Sequence, residues 1–198
     1  MDFDGNFRLL GKVDGSLLCD QVAALTEDDW ASDSFRQKQF VVHQQTQSIP
    51  LVFDNDWRFG APTRQPFFAQ FELALAPIVS HVGRLFEPES YLLRLLLTRL
   101  PAGCSISEHV DKGLSLRLVH RLHIPLQSKG NVMFTVGEQT RSLPVGEIWE
   151  INNCRAHSVV NESDVDRIHL IMDWVTPELA RAYLMEQVRK ARYCSERE

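Results

Sequence analysis

Along residues 67–86, apolar side chains return every three or four positions, at Phe67, Phe68, Phe71, Leu75, Ile78, Val79, Val82 and Phe86. That period places them on one stripe of a helix, and the stripe reads as core packing rather than an aromatic binding box. Pro77 stands where it would kink such a helix. Before it, residues 7–13 read as a strand and 16–25 as a short helix carrying Leu17, Leu18, Val22 and Leu25. Residues 40–43 and 49–53 are short strand candidates. From Tyr91 the pattern changes to β-rich runs at 91–100, 118–125, 132–136, 147–151, 156–160 and 167–175, with Gly130, Gly137 and Gly146 at turns. Thr176-Pro177-Glu178 then opens a closing helix that runs to about residue 192, with a capping hydroxyl, a proline in the first turn and an acid at the positive dipole end. Strands at this spacing predict a mainly β fold with flanking helices: a double-stranded β-helix of the jelly-roll, cupin-like kind, whose two sheets enclose a pocket.

With 198 residues, 44% of them hydrophobic, the chain can bury one good core and is short for two. A single domain over 1–198 is expected: an α/β flanking region at 1–90, the β-helix core at 91–175 and the terminal helix at 176–192. A net charge of −5 and a pI near 5.8 provide no basic footprint for a phosphate backbone, so no nucleic-acid partner is expected. Cys19, Cys104, Cys154 and Cys194 form no C-x-x-C pair, which argues against a zinc knuckle or a disulfide framework and fits a reducing compartment. The amino-terminal residues are acidic and unlike a secretory leader, and Arg94 and Arg99 interrupt the longest apolar stretch. A cytoplasmic protein that does not enter the membrane is expected.

The chemistry concentrates in His109-Val110-Asp111, with His157 following 46 positions after Asp111 (157 − 111) and Arg167 ten after that (167 − 157). Two imidazoles and a carboxylate make the facial triad that holds Fe(II) and leaves positions open for O₂. Side chains at i and i+2 of a strand share a face, so His109 and Asp111 can address one ion, and a neighbouring strand must bring His157 alongside. Arg167, expected on the return strand of a short hairpin, could present its planar fork to a carboxylate. A His-x-Asp triplet alone is weak; its position among strands is what gives it weight.

The same residues resemble those of aspartyl/asparaginyl β-hydroxylases and the related bacterial free-proline 3-hydroxylases. The resemblance covers roughly residues 97–184 through Glu108-His109-Val110-Asp111, Arg121-Leu122-His123-Ile124-Pro125-Leu126, Val145-Gly146-Glu147-Ile148-Trp149, Ala156-His157-Ser158-Val159-Val160-Asn161, and Arg167 running into Met172-Asp173-Trp174. It implies a dioxygenase using Fe(II), 2-oxoglutarate and O₂ to hydroxylate an unactivated C–H bond of an amino acid, with release of succinate and CO₂. On this resemblance His109, Asp111 and His157 are the iron ligands, and Arg167 pairs with the distal carboxylate of 2-oxoglutarate. His123 contacts the cosubstrate's chelating carboxylate, Arg121 lies near the cosubstrate and the substrate's own carboxylate, and Thr98 supplies a cosubstrate-binding hydroxyl. Asp111 departs from the animal peptidyl-aspartate enzymes, which lack a carboxylate there, and agrees with the proline hydroxylases. Peptidyl Asp or Asn is the expected substrate, with free proline or another small amino acid as the alternative.

Two other classes fit parts of the pattern: a cupin-like metalloenzyme that does not use 2-oxoglutarate, and a binding domain whose histidines are structural. His120 faces away from His123 if that segment is extended, and carries no assigned role. His43, Trp57 and Trp149 are read as core or satisfied side chains before pocket-lining ones. Oligomeric state is not legible in the sequence.

Overall fold

The computed structural model describes residues 3–33, 38, 44–54, 56 and 59–195. The strand expected at 40–43, with His43 and Trp57, lies outside the described residues. The amino-terminal part supplies β1 (Phe7–Lys12), α1 (Ser16–Ala23), α2 (Glu27–Ala31), β2 (Gln47–Phe53), β3 (Thr63–Arg64) and α3 (Phe68–Gly83). Then follow β4 (Tyr91–Leu100), β5 (Ser105–His109), α4 (Leu114–Arg117), β6 (His120–Gln127), β7 (Val132–Val136), β8 (Gln139–Arg141), β9 (Glu147–Ile151), β10 (His157–Asn161), β11 (Arg167–Val175) and α5 (Pro177–Ser195). No helix among the described residues is long and apolar enough to cross a membrane.

All the strand pairs are antiparallel, and they form a seven-stranded sheet, β1-β9-β6-β11-β4-β2-β3, and a four-stranded sheet, β5-β10-β7-β8. From β4 to β11 the chain passes back and forth between these sheets, which is the winding of the expected double-stranded β-helix. That winding corrects one local expectation. β10 and β11 belong to different sheets, so the segment between His157 and Arg167 is a crossover and not a hairpin.

Two apolar cores flank the large sheet. On its outer face Leu95, Leu97, Leu122, Ile124, Leu170 and Met172 meet Leu18, Val22, Phe71, Leu75, Ile78 and Val82 from α1 and α3. The stripe read from residues 67–86 is thus the layer that covers the sheet, and Pro77 sits inside the helix. Between the sheets lie Leu100, Val132, Phe134, Val136, Trp149, Ile151 and Val159. Trp149 is a core residue here, and its Nε1 donates to Glu147 Oε2 at 2.9 Å.

Five short elements were not anticipated, among them the two-residue β3. β5 has no apolar alternation to betray it, α2 and α4 span under two turns, and β8 completes a tight hairpin with β7. Gly137 makes that hairpin turn with a positive φ of 55°. The terminal helix starts as expected, with Leu179 N donating to the Thr176 hydroxyl at 3.3 Å.

Candidate active site

His109 closes β5 and His157 opens β10, and the two residues are direct cross-strand partners. Their rings come within 4.2 Å, centroid to centroid. Asp111 stands two residues past the end of β5, outside the strand that the i, i+2 argument assumed. Its backbone N–H donates to the Asn153 carbonyl, and its Oδ1 lies 3.9 Å from His109 Nε2. One ligand atom from each of His109, Asp111 and His157 falls within 4.8 Å of the others, a spacing that one metal ion can span.

The donor set fits a divalent transition metal. His109 Nδ1 lies 2.9 Å from the Ser107 carbonyl and His157 Nδ1 2.9 Å from the Arg155 carbonyl. A carbonyl only accepts, so in the neutral form each ring carries its proton on Nδ1 and keeps Nε2 unprotonated, the atom a metal would use. Burial lowers the His157 pKa, although Asp111 opposes the shift, and a neutral imidazole is the form a metal needs. Asp111 is nearly buried; burial works against its charge, but Arg121 and His157 outweigh it and hold the carboxyl below its ordinary range. Its Oδ2 accepts from Arg121 Nη1 and, at 3.1 Å, from Asn153 Nδ2.

Behind Asp111 runs a ladder of alternating charge. Arg121 donates from Nε and Nη2 to the two oxygens of Asp173 at 2.8 and 2.9 Å. Asp173 in turn accepts from Arg94 Nη1 at 3.3 Å, and Arg94 grips Asp54 through Nε and Nη2. Asp173, Arg94 and Asp54 are fully buried. Burial opposes the Arg121 charge, yet its two carboxylates push its pKa up, and Arg121 and Arg94 keep Asp173 ionised against its own burial.

Arg167 differs. It opens β11, is 3% exposed, and has no carboxylate within ion-pair distance among the described residues. Its Nη2 reaches His169 Nδ1 at 2.9 Å, its guanidinium carbon lies 5.5 Å from the Phe134 ring centre, and its Nε is buried without a partner. Burial alone pushes its pKa down to about 9, so it is still a cation at neutral pH.

One cavity collects every predicted site residue: His109, Asp111, His157, Arg121, His123, Thr98 and Arg167 all line it. Thr98 Oγ1 is 3.4 Å from the His169 carbonyl oxygen, a long contact. His120 points to the opposite face, where its Nδ1 meets Glu150 at 2.7 Å and its ring packs on Phe86. Asp173, Arg94, Asn153 and His169 carried no assigned role in the sequence, although Asp173 stands in a resembling motif. The alternation of β11 carried a signal for two of them, because His169 and Asp173 share the inward face with Arg167.

The family model described as aspartyl/asparaginyl beta-hydroxylase matches residues 73–177, just over half of the 198 residues. The chain belongs to the aspartyl/asparaginyl β-hydroxylase family. No curated protein matches it. Among solved structures, an oxidoreductase of the 2OG-Fe(II) oxygenase family from Burkholderia pseudomallei aligns with a TM-score of 0.50 and 15% identity, covering 66% of this chain and 67% of the other. The non-heme monooxygenase ThoJ, solved with nickel, aligns with a TM-score of 0.52 and 16% identity, covering 87% of this chain and 74% of that one. These two likenesses establish the shared fold. Membership of the hydroxylase family makes this chain an enzyme of the dioxygenase type, with a metal-competent His/Asp/His site.

Proposed function

We propose that this β-hydroxylase family member is an Fe(II)- and 2-oxoglutarate-dependent dioxygenase that hydroxylates an aspartyl or asparaginyl residue within a peptide. The observation that carries the reading is the pairing, in one cavity, of a His/Asp/His donor set with a buried guanidinium that lacks a protein carboxylate. A buried unpaired charge is costly to hold. A ligand that brings one carboxylate to Arg167 and chelates a metal through its other end satisfies both halves of the cavity at once.

In this reading His109, Asp111 and His157 hold iron, and the iron with 2-oxoglutarate and O₂ supplies the oxidising power for C–H hydroxylation, with succinate and CO₂ as coproducts. The protein's part is orientation. Two neutral imidazoles offer Nε2, Asp111 offers Oδ1 while Oδ2 is tied back, and Arg167 presents a fork to the distal carboxylate. Thr98 and His123 complete the wall around the cosubstrate, and Phe134, Ile151 and Val159 keep that part of the cavity apolar. The flanking region 1–90, the core 91–175 and the helix 176–192 act together as one domain.

The commitment of Arg121 favours a peptide. Nε, Nη1 and Nη2 all donate to Asp173 or Asp111, so among the described lining residues Arg167 is left as the guanidinium without a carboxylate for a free amino acid to use. Asp111 itself favours the second reading, hydroxylation of free proline or another small amino acid, because the animal peptidyl-aspartate enzymes lack that carboxylate.

The test is an anaerobic titration of the Fe(II)-loaded protein with 2-oxoglutarate, followed by aerobic turnover with product mass and succinate measured separately on peptides and on free amino acids. A charge-transfer absorption band, succinate and a product heavier by one oxygen are expected. A cupin-like enzyme of another chemistry would give neither band nor succinate.

A further inference from the structure

His169 stands two positions beyond Arg167 on the inward face of β11 and is 1% exposed. Its Nδ1 lies 2.9 Å from Arg167 Nη2 and 3.3 Å from His123 Nδ1. The protons follow by elimination. A guanidinium only donates, so His169 Nδ1 accepts and the ring proton sits on Nε2. That nitrogen has one lone pair, and the shorter contact, to Arg167, takes it; His123 Nδ1 lies beside it at the longer distance. Burial, then the charge of Arg167 and the neighbouring His123, hold the His169 pKa well below the ordinary imidazole range, so the ring stays neutral. The three side chains form one polar cluster, with Arg167 donating to His169, and Arg167 and His123 line the cavity.

We propose that His169 is a positioning residue: it fixes the plane of the Arg167 guanidinium before a dicarboxylate arrives. The proposal rests on the 2-oxoglutarate reading given above. Arg167 needs such a partner more than a surface arginine would. Its remaining described contact of note is the Phe134 ring, which constrains direction weakly, and its Nε has no partner. A neutral acceptor is the suitable choice, since it orders the fork without cancelling the charge. A carboxylate at 169 would form the ion pair that the ligand is meant to form. Preordering the fork lowers the entropy lost on binding, which appears as affinity for the cosubstrate and leaves affinity for the metal alone.

The experiment compares His169→Leu, His169→Gln and His169→Glu with the parent. ¹⁵N NMR of histidine-labelled, metal-free protein reads the tautomers, and anaerobic titration of the Fe(II)-loaded protein reads 2-oxoglutarate affinity. Cobalt(II) binding reads the metal site. In the parent, His169 is expected as the Nε2–H tautomer. His169→Leu should weaken 2-oxoglutarate tenfold or more with cobalt affinity within twofold, and KM for 2-oxoglutarate should rise by more than kcat falls. His169→Gln keeps an acceptor and should recover most of the affinity; His169→Glu should weaken it at least a hundredfold.

If the parent binds 2-oxoglutarate and His169→Leu binds it equally well, the positioning role is overturned while the cosubstrate reading stands. A parent that binds no 2-oxoglutarate overturns both. Should His169→Leu fail to fold, the Gln and Glu variants decide, and equal affinities for those two would overturn the role. His169 found as the Nδ1–H tautomer in the parent would overturn it independently.

Discussion

The cavity has two poles, and they treat buried charge in opposite ways. At the metal pole Asp111, Arg121, Asp173, Arg94 and Asp54 alternate in sign and satisfy one another within the protein. At the other pole Arg167 is buried with an imidazole and an aromatic ring for company, and no carboxylate among the described residues. Both poles hang on one strand. Arg167 and Asp173 are six residues apart on the same face of β11, about 20 Å of extended chain. Charge completed by the protein holds a ligand set in place, whereas charge left incomplete is available to a small molecule.

The sharpest way to break this comparison is to remove one charge from each pole. Asp173→Asn deprives the buried Arg94 and the half-buried Arg121 of a partner and should lower the unfolding free energy by about 3–5 kcal/mol. Arg167→Met strands no carboxylate and should leave the metal-free protein as stable or more stable, by up to about 4 kcal/mol, while abolishing 2-oxoglutarate binding. Urea denaturation of the two variants measures this, and equal losses would erase the distinction between the poles.

A pH series divides a second effect between the poles. The folded-state pKa values of His157 and His169 are both depressed, so their contribution to stability is present above about pH 6.5 and is lost as pH falls below it. As pH falls below about 6.5 the metal-free protein should lose stability, at no more than about 1.4 kcal/mol per pH unit for each of the two groups. His169→Gln should remove the share belonging to the Arg167 pole; an unchanged slope in that variant would place the whole effect elsewhere.

Smaller changes act on single hydrogen bonds. Asn153→Ala removes one of the two donors that tie back Asp111 Oδ2, and should weaken cobalt(II) binding by about 10- to 100-fold as read by competition with a chelator. Arg167→Lys keeps the charge and loses the fork, so 2-oxoglutarate should bind about tenfold more weakly with metal affinity retained. Thr98→Val removes the hydroxyl expected to meet the cosubstrate, together with its long contact to the His169 carbonyl, and should weaken 2-oxoglutarate by about 1 kcal/mol.

The residue alternation and donor types of the sequence were sufficient for much of this. The amphipathic stripe at 67–86 became the helix that covers the sheet, the β-rich runs became the strands of the jelly roll, and the seven residues singled out for chemistry line one cavity. Less was legible where signals are long-range or faint. β5 is a short strand of mostly polar residues, and nothing in its pattern distinguishes it from a loop. Arg94 looked like an interruption in an apolar run and Asp54 drew no reading at all, because a buried ion pair between positions forty apart leaves no local trace.

The sequence by itself determined which side chains could do chemistry and which faces of strands and helices would be buried, since both depend on residue type and on the fixed periods of the backbone. Tertiary structure decided the rest: the register that sets His157 opposite His109, the crossover that sends β11 into the other sheet, and the division of two arginines into one already paired and one awaiting a partner. Those outcomes depend on contacts between segments distant along the chain, and no local periodicity encodes which carboxylate a guanidinium will meet.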